Sequence, residues 1–292
     1  MATLLQDAPA RNRFAPARAA WRTLLVHVQP EHSATPRLSA AVDLAAKLDA
    51  TLVGLGAEML QPIGYGDPMG MLGGQFLVAL TEVIQTNLKT SAAAFNRRAA
   101  GVRGQWLELE DFPVNATCRL ARGADLIVAG GSPLDAHDNY RWCDPAQLAL
   151  QSGRPVLIAP PAGGELQAKA VIVAWKDTRE ARRALADSLP ILKCADEVLV
   201  VAVCAKDDVH TANVHTASVL DFLLRHGVDA RAKVVAGHPD EAAPVLQGEA
   251  MAIGADLIVA GAYGHSRLGE WIFGGVTYGL LNQPERFVLI SH

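Results

Sequence analysis

Apolar runs of five to seven residues alternate along this chain with longer segments whose apolar positions recur every three or four residues. The runs read as strands buried on both faces, the longer segments as amphipathic helices. Strands are expected at 23–28, 51–55, 105–109, 125–129 and 155–159. Helices are expected between them at 35–48, 75–100 and 113–122, with another opening at Asp144-Pro145. Thr35-Pro36 has the form of an N-cap followed by a first-turn proline. After residue 169 the order starts again. Strands at 170–175, 197–203, 231–236, 256–260 and 286–290 alternate with helices at 179–192, 213–225, 240–253 and 275–282.

The duplication is also spelled out in the residues. GADLIVAG occurs at 123–130 and again, unchanged, at 254–261. An identical eight-residue copy is very improbable by chance, so the chain reads as one βαβαβαβαβ unit written twice. That alternation requires a parallel sheet with right-handed crossovers and helices on both faces. The expected layout is a flexible tail at 1–20, a first unit at 21–160, a linker at 161–168 and a second unit at 169–292. The first unit is the longer one because it carries a Gly/Met-rich insert at 59–74. Loops of that length usually serve as lids or binding segments.

Composition removes several classes of function. The net charge of −4 gives no basic footprint for nucleic acid, and no apolar run is long enough to span a membrane. The tail holds Arg11, Arg13 and Arg18 without an apolar core, so it is not read as a secretory leader. Cys118, Cys143, Cys194 and Cys204 show no C-x-x-C spacing, and a reduced, cytoplasmic setting is expected.

Ligands of open parallel sheets sit beyond the carboxyl ends of the strands, where the strand order reverses. After the second copy of the repeat the spacing is Gly261-x-x-Gly264, then nine residues, then Gly274-Gly275 at the start of a helix. Backbone N–H groups of such glycines, with the helix opening at Val276, make an anion site. His265 and Arg267 add positive character against the single Glu270. The same glycines could serve only to shape a long loop, and spacing alone leaves both readings open. The first copy continues differently, as Gly130-Gly131-Ser132-Pro133 and later Cys143-Asp144-Pro145. There Asp144 is expected to cap a helix with a protein carboxylate where a phosphate would otherwise sit. Asp135 and Asp138 make that loop more negative, so no anion site is expected in the first half.

The loop spacing G-x-x-G-(nine)-G, set in a duplicated five-stranded unit, resembles the nucleotide loop of universal stress proteins, and the chain looks like a tandem member over roughly 21–292. The resemblance implies two Rossmann-like units of the adenine nucleotide alpha hydrolase type, each with strand order 3-2-1-4-5. It implies a role in stress adaptation and ATP or a related adenine nucleotide as ligand, with Mg2+ arriving only with the nucleotide. Gly261, Gly264, His265, Arg267, Gly274, Gly275 and Val276 would then face phosphate, and Thr277 would offer a hydroxyl. Ala174, Trp175, Lys176, Asp177 and Val203 would border the base and ribose. In single-domain relatives two units pair through their last strands, so 155–159 and 286–290 are expected to pair here as an intrachain pseudo-dimer. Tandem chains could associate further. Two departures weaken the site: Gly275 replaces a Ser/Thr, and Lys176 stands where nucleotide-binding members carry an acid, with Asp177 one residue on. In the first half Gln29-Pro30 fills that place.

Nothing marks a catalytic residue. There is no P-loop, no G-x-G-x-x-G after a strand, no G-x-S-x-G elbow and no metal-ligand spacing among nine histidines. His210 and His215 are expected at a solvated helix start, and Trp175 is expected to pack the interdomain seam more than to border the ligand cleft. Hydrolysis, if any, would be slow. A second function class stays open: a stress-linked scaffold that needs no nucleotide and uses the Gly/Met-rich insert over an apolar cleft.

Overall fold

The computed structural model describes residues 21–29, 34–60, 73–131, 140–262, 264–267, 270–273, 279–281 and 284–292. The first half contributes β1 (Thr23–His27), α1 (Ala34–Leu48), β2 (Thr51–Ala57), α2 (Gly73–Arg98) and β3 (Arg103–Leu109). It continues with α3 (Pro113–Leu120), β4 (Leu126–Gly130), α4 (Pro145–Gln151) and β5 (Val156–Ala159). The second half begins with β6 (Ala170–Trp175), α5 (Arg179–Leu192), β7 (Glu197–Cys204), α6 (Val209–Arg225) and β8 (Arg231–Ala236). It ends with α7 (Ala242–Ala252), β9 (Leu257–Gly261), β10 (Gly264–Arg267), β11 (Glu270–Phe273) and β12 (Phe287–Ser291).

Ten strands form one sheet in the order β3-β2-β1-β4-β5-β12-β9-β6-β7-β8. Each half is parallel and ordered 3-2-1-4-5, as the resemblance implied. The halves join where β5 meets β12 antiparallel, with Val156, Leu157 and Ile158 opposite Ile290, Leu289 and Val288. The expected pairing of the last strands is therefore present, and two would-be edges become central strands. Because this seam is antiparallel, the carboxyl ends of the two half-sheets lie at opposite edges.

The repeated LIVA stretch shows why strict apolarity was needed. Leu126 and Val128 face one helix layer while Ile127 and Ala129 face the other, and Leu257 to Ala260 divide in the same way. The aspartate before each copy has a separate task. Asp125 accepts hydrogen bonds from the Arg22 and Thr23 amides, at 2.7 and 2.9 Å. Asp256 does the same for the Gln167 and Ala168 amides, and Ala168 is held at a φ of 48° that favours glycine. Each carboxylate ties the start of its unit's first strand to the fourth. Replacing either aspartate by alanine is expected to cost about 1–3 kcal/mol, read as a lower urea midpoint; unchanged midpoints in both variants would remove the tether from the account.

Three differences from the sequence reading stand out. The helix expected at 213–225 starts at Val209, and Asn213 does not cap it: its Nδ2 donates back to the Val209 carbonyl at 2.8 Å. The stretch read as a long loop after Gly261 contains an antiparallel ribbon, β10 against β11. The Gly/Met-rich insert expected at 59–74 is regular at its end, since α2 begins at Gly73, while 61–72 lie outside the described residues.

Candidate functional site

Strand order reverses between β1 and β4 in the first half, and between β6 and β9 in the second. These two crevices are built very differently.

The first is filled by the protein itself. Arg37, on the first turns of α1, is buried; its Nε donates to the His27 carbonyl at 2.9 Å and its Nη2 to Gln29 Oε1 at 2.6 Å. Gln29 in turn donates to the Arg141 carbonyl. The segment Tyr140 to Cys143 lies across the ends of β1 and β2. Met59 N donates to the Tyr140 carbonyl at 3.0 Å, and the Tyr140 ring packs on Phe112 at 5.2 Å. Arg141 Nε meets the buried Glu58 carboxylate at 2.6 Å, and Asn87 donates to both oxygens of that carboxylate at 3.1 Å. Trp142 and Cys143 complete the plug, both buried. Thr117 gives its hydroxyl hydrogen to the Pro113 carbonyl, so the 3.3 Å contact with Cys143 has the thiol donating. Burial pushes the Cys143 thiol up to about 12, which leaves it unreactive at neutral pH. Asp144 caps α4 as expected, accepting from the Ala146 amide at 2.8 Å. Desolvation raises its pKa. Pro133, Asp135 and Asp138 lie outside the described residues.

The second crevice has no such plug among the described residues. Lys176 and Asp177 are exposed at the end of β6, while Ala174 and, at the end of β7, Val203 are half-buried. Asp177 Oδ1 accepts from Arg182 Nε and Nη2 at 3.1 and 2.7 Å, and His215 Nδ1 stands 4.0 Å from Oδ2. Trp175 is buried within the helix layer that includes Ala181, Leu185 and Val219, all of the second unit, and not at the β5–β12 seam where packing was expected. Its Nε1 finds no acceptor among the described residues.

Gly261 has a purpose that spacing did not show. A Cβ there would lie 2.6 Å from Ala181 N and 2.7 Å from the Glu180 carbonyl carbon, so the first turn of α5 fills the space its missing side chain leaves. Thr178 caps that turn, accepting from the Ala181 amide at 3.2 Å. His292 Nδ1 donates to the Ala262 carbonyl at 2.9 Å, leaving Nε2 to accept from Arg179 at 3.2 Å. The structure thus brings Ala174, Trp175, Lys176 and Asp177 to one strand end, with Val203 on the neighbouring strand. Gly264, His265 and Arg267 fall on β10, where Gly264 is opposite Phe273, His265 opposite Ile272 and Arg267 opposite Glu270. Gly274, Gly275, Val276 and Thr277 lie outside the described residues. Among the described residues no cluster of His, Cys, Asp or Glu could hold a metal ion, and no helix is long and apolar enough to cross a membrane.

Sequence comparison is silent: no family model and no curated protein matches the chain. Solved structures do match. A universal stress protein from Archaeoglobus fulgidus DSM 4304 superposes over 92% of this chain and 97% of its own, with TM-score 0.66 at 16% identity. The chain carries the universal stress protein fold, twice over. A putative universal stress protein from Pseudomonas aeruginosa UCBPP-PA14 matches over 94% of each chain, with TM-score 0.54 at 17% identity. A functionally unknown protein from Pseudomonas aeruginosa PAO1 matches similarly, with TM-score 0.56 at 16% identity over 95% of this chain and 94% of its own. Likeness to universal stress proteins at this identity is a likeness of fold.

The plug was not foreseen from the sequence. One signal was present: His27 is a polar residue closing an otherwise apolar strand, and a buried imidazole demands partners.

Proposed function

We propose that this chain is a tandem universal stress protein in which the second unit binds one adenine nucleotide and the first binds none. The observation that carries the reading is the contrast between the crevices. The first is plugged by Arg37, Arg141 and Cys143 and capped by Asp144. The second offers exposed Lys176 and Asp177 beside a glycine-rich sequence. Backbone groups of Gly264, Gly274, Gly275 and Val276, with the Thr277 hydroxyl, would hold phosphate. Lys176, Asp177 and Val203 would border the base and ribose, and Mg2+ would enter with the nucleotide. ATP turnover, if any, would be slow.

A nucleotide-independent scaffold role draws on a different observation: Leu77, Val78 and Val83 of α2 are exposed, just after the Gly/Met-rich insert. Titration calorimetry with ATP, with and without Mg2+, separates the two. The expected result is a single nucleotide per chain, abolished by Gly274→Asp, which would set a carboxylate against the proposed phosphate. No heat at millimolar ATP would sink the nucleotide reading and send attention to α2.

A further inference from the structure

The plug in the first crevice contains one group whose chemistry is incomplete. His27 Nε2 lies 2.9 Å from the Ala57 carbonyl oxygen. A carbonyl only accepts, so Nε2 carries the ring hydrogen and Nδ1 presents a bare lone pair. That nitrogen is buried and has no donor among the described residues. His27 as a whole is 3% exposed. An unpaired buried acceptor is costly, and native proteins commonly satisfy such atoms with an internal water.

There is space for one. A cavity of about 10 Å3, near the lower limit for a single water molecule, is lined by His27, Arg37, Thr117, Gly130, Cys143 and Leu148. The chemistry of the wall selects the occupant. It must give a hydrogen to Nδ1, which excludes halide and other simple anions. It must sit beside the Arg37 guanidinium, which excludes ammonium and metal cations. It must be about one heavy atom in size, which excludes organic ligands. A water satisfies all three conditions, and Arg37 and Thr117 stand in the same wall.

We propose that the first crevice binds one internal water, which donates to His27 Nδ1 and joins the end of β1 to α1 and to the segment leading into α4. The first unit then holds a solvent molecule where its partner unit is read as holding a nucleotide. The water does not depend on that reading, because every atom that selects it belongs to the first half.

A high-resolution crystal structure of the full chain tests it. The expected result is a lone oxygen peak roughly 3 Å from Nδ1. In solution, the nitrogen-15 spectrum of His27 at neutral pH should show Nδ1 unprotonated but hydrogen-bonded, with cross-relaxation from its ring hydrogen to a long-lived water. A dry cavity overturns the proposal, as does a bromide anomalous peak at this position or a protein donor on Nδ1. In His27→Leu the acceptor is gone, and the oxygen peak should vanish. A peak that persists there means other groups hold the water, and that also defeats the proposal. Should the variant fail to fold, the unmodified chain still decides through its density and its spectrum.

Discussion

Taking the protein from pH 7 to pH 4 is expected to lower its stability by about 3 kcal/mol more than the same step lowers that of a His27→Gln variant. The cause is the imidazole in the first crevice. Desolvation by burial, then the positive charge of Arg37, bring its pKa from 6.5 down to about 3, against the opposing hydrogen bond to the Ala57 carbonyl. Between those two values the unfolded chain holds a proton on His27 that the folded chain refuses. Stability is therefore complete above pH 6.5 and declines as the pH falls toward 3. Glutamine can still donate to the Ala57 carbonyl but does not titrate. Asp144, whose pKa is raised chiefly by desolvation, acts with the opposite sign, and it is common to both proteins, so the difference isolates His27. Urea midpoints at several pH values supply the measurement. Parallel profiles for the two proteins would falsify the assignment.

The second large effect sets identical residues against each other. Gly261→Ala is expected to destabilise the protein by about 3 kcal/mol or more, while Gly130→Ala costs under about 1 kcal/mol. The two glycines close the same eight-residue sequence. A methyl on Gly261 would stand 2.6 Å from a backbone nitrogen and 2.7 Å from a carbonyl carbon of α5, and a capped helix turn cannot step aside cheaply. Among the described residues a methyl on Gly130 meets the Arg37 side chain alone, whose nearest atom is 3.2 Å away and need give only a few tenths of an ångström. The cause is the length of the connection before the first helix. Residues 28–33 separate β1 from α1, whereas only 176–178 separate β6 from α5, so α5 is drawn down onto the end of β9. Equal shifts in the urea midpoints of the two variants would refute this. For ligand studies the consequence is practical: lost binding in Gly261→Ala reports packing first, which is why Gly274 is the better probe.

What could be read in advance was whatever neighbours along the chain decide. The helix at 179–192 was placed to the residue from its spacing of apolar positions, and Asp144 was recognised as a cap because aspartate followed by proline leaves little else. The strand order needed the family resemblance, since periodicity gives elements and not their neighbours. Contacts between distant residues could not be read. Arg141 reaches Glu58, and Gln29 reaches the Arg141 backbone, across most of the first half, and no local pattern points to either. The β10–β11 ribbon was hidden because glycines at 261, 264, 269, 274 and 275 outweighed the alternation between them. In the same way, Gly261 could be seen as a position without a side chain, but not what stood in the space.

The antiparallel meeting of β5 and β12 carries a consequence for how the halves evolve. When two identical subunits associate, every substitution is made in both, and a change that disables one pocket disables its mate. Pairing would also be lost on dilution by mass action. Joined in one polypeptide, the partners stay at high effective concentration, and each gene half drifts alone. One pocket could thus be rebuilt around Arg37 and Arg141 while the other kept its glycines. Fusion frees the two crevices from having to stay alike.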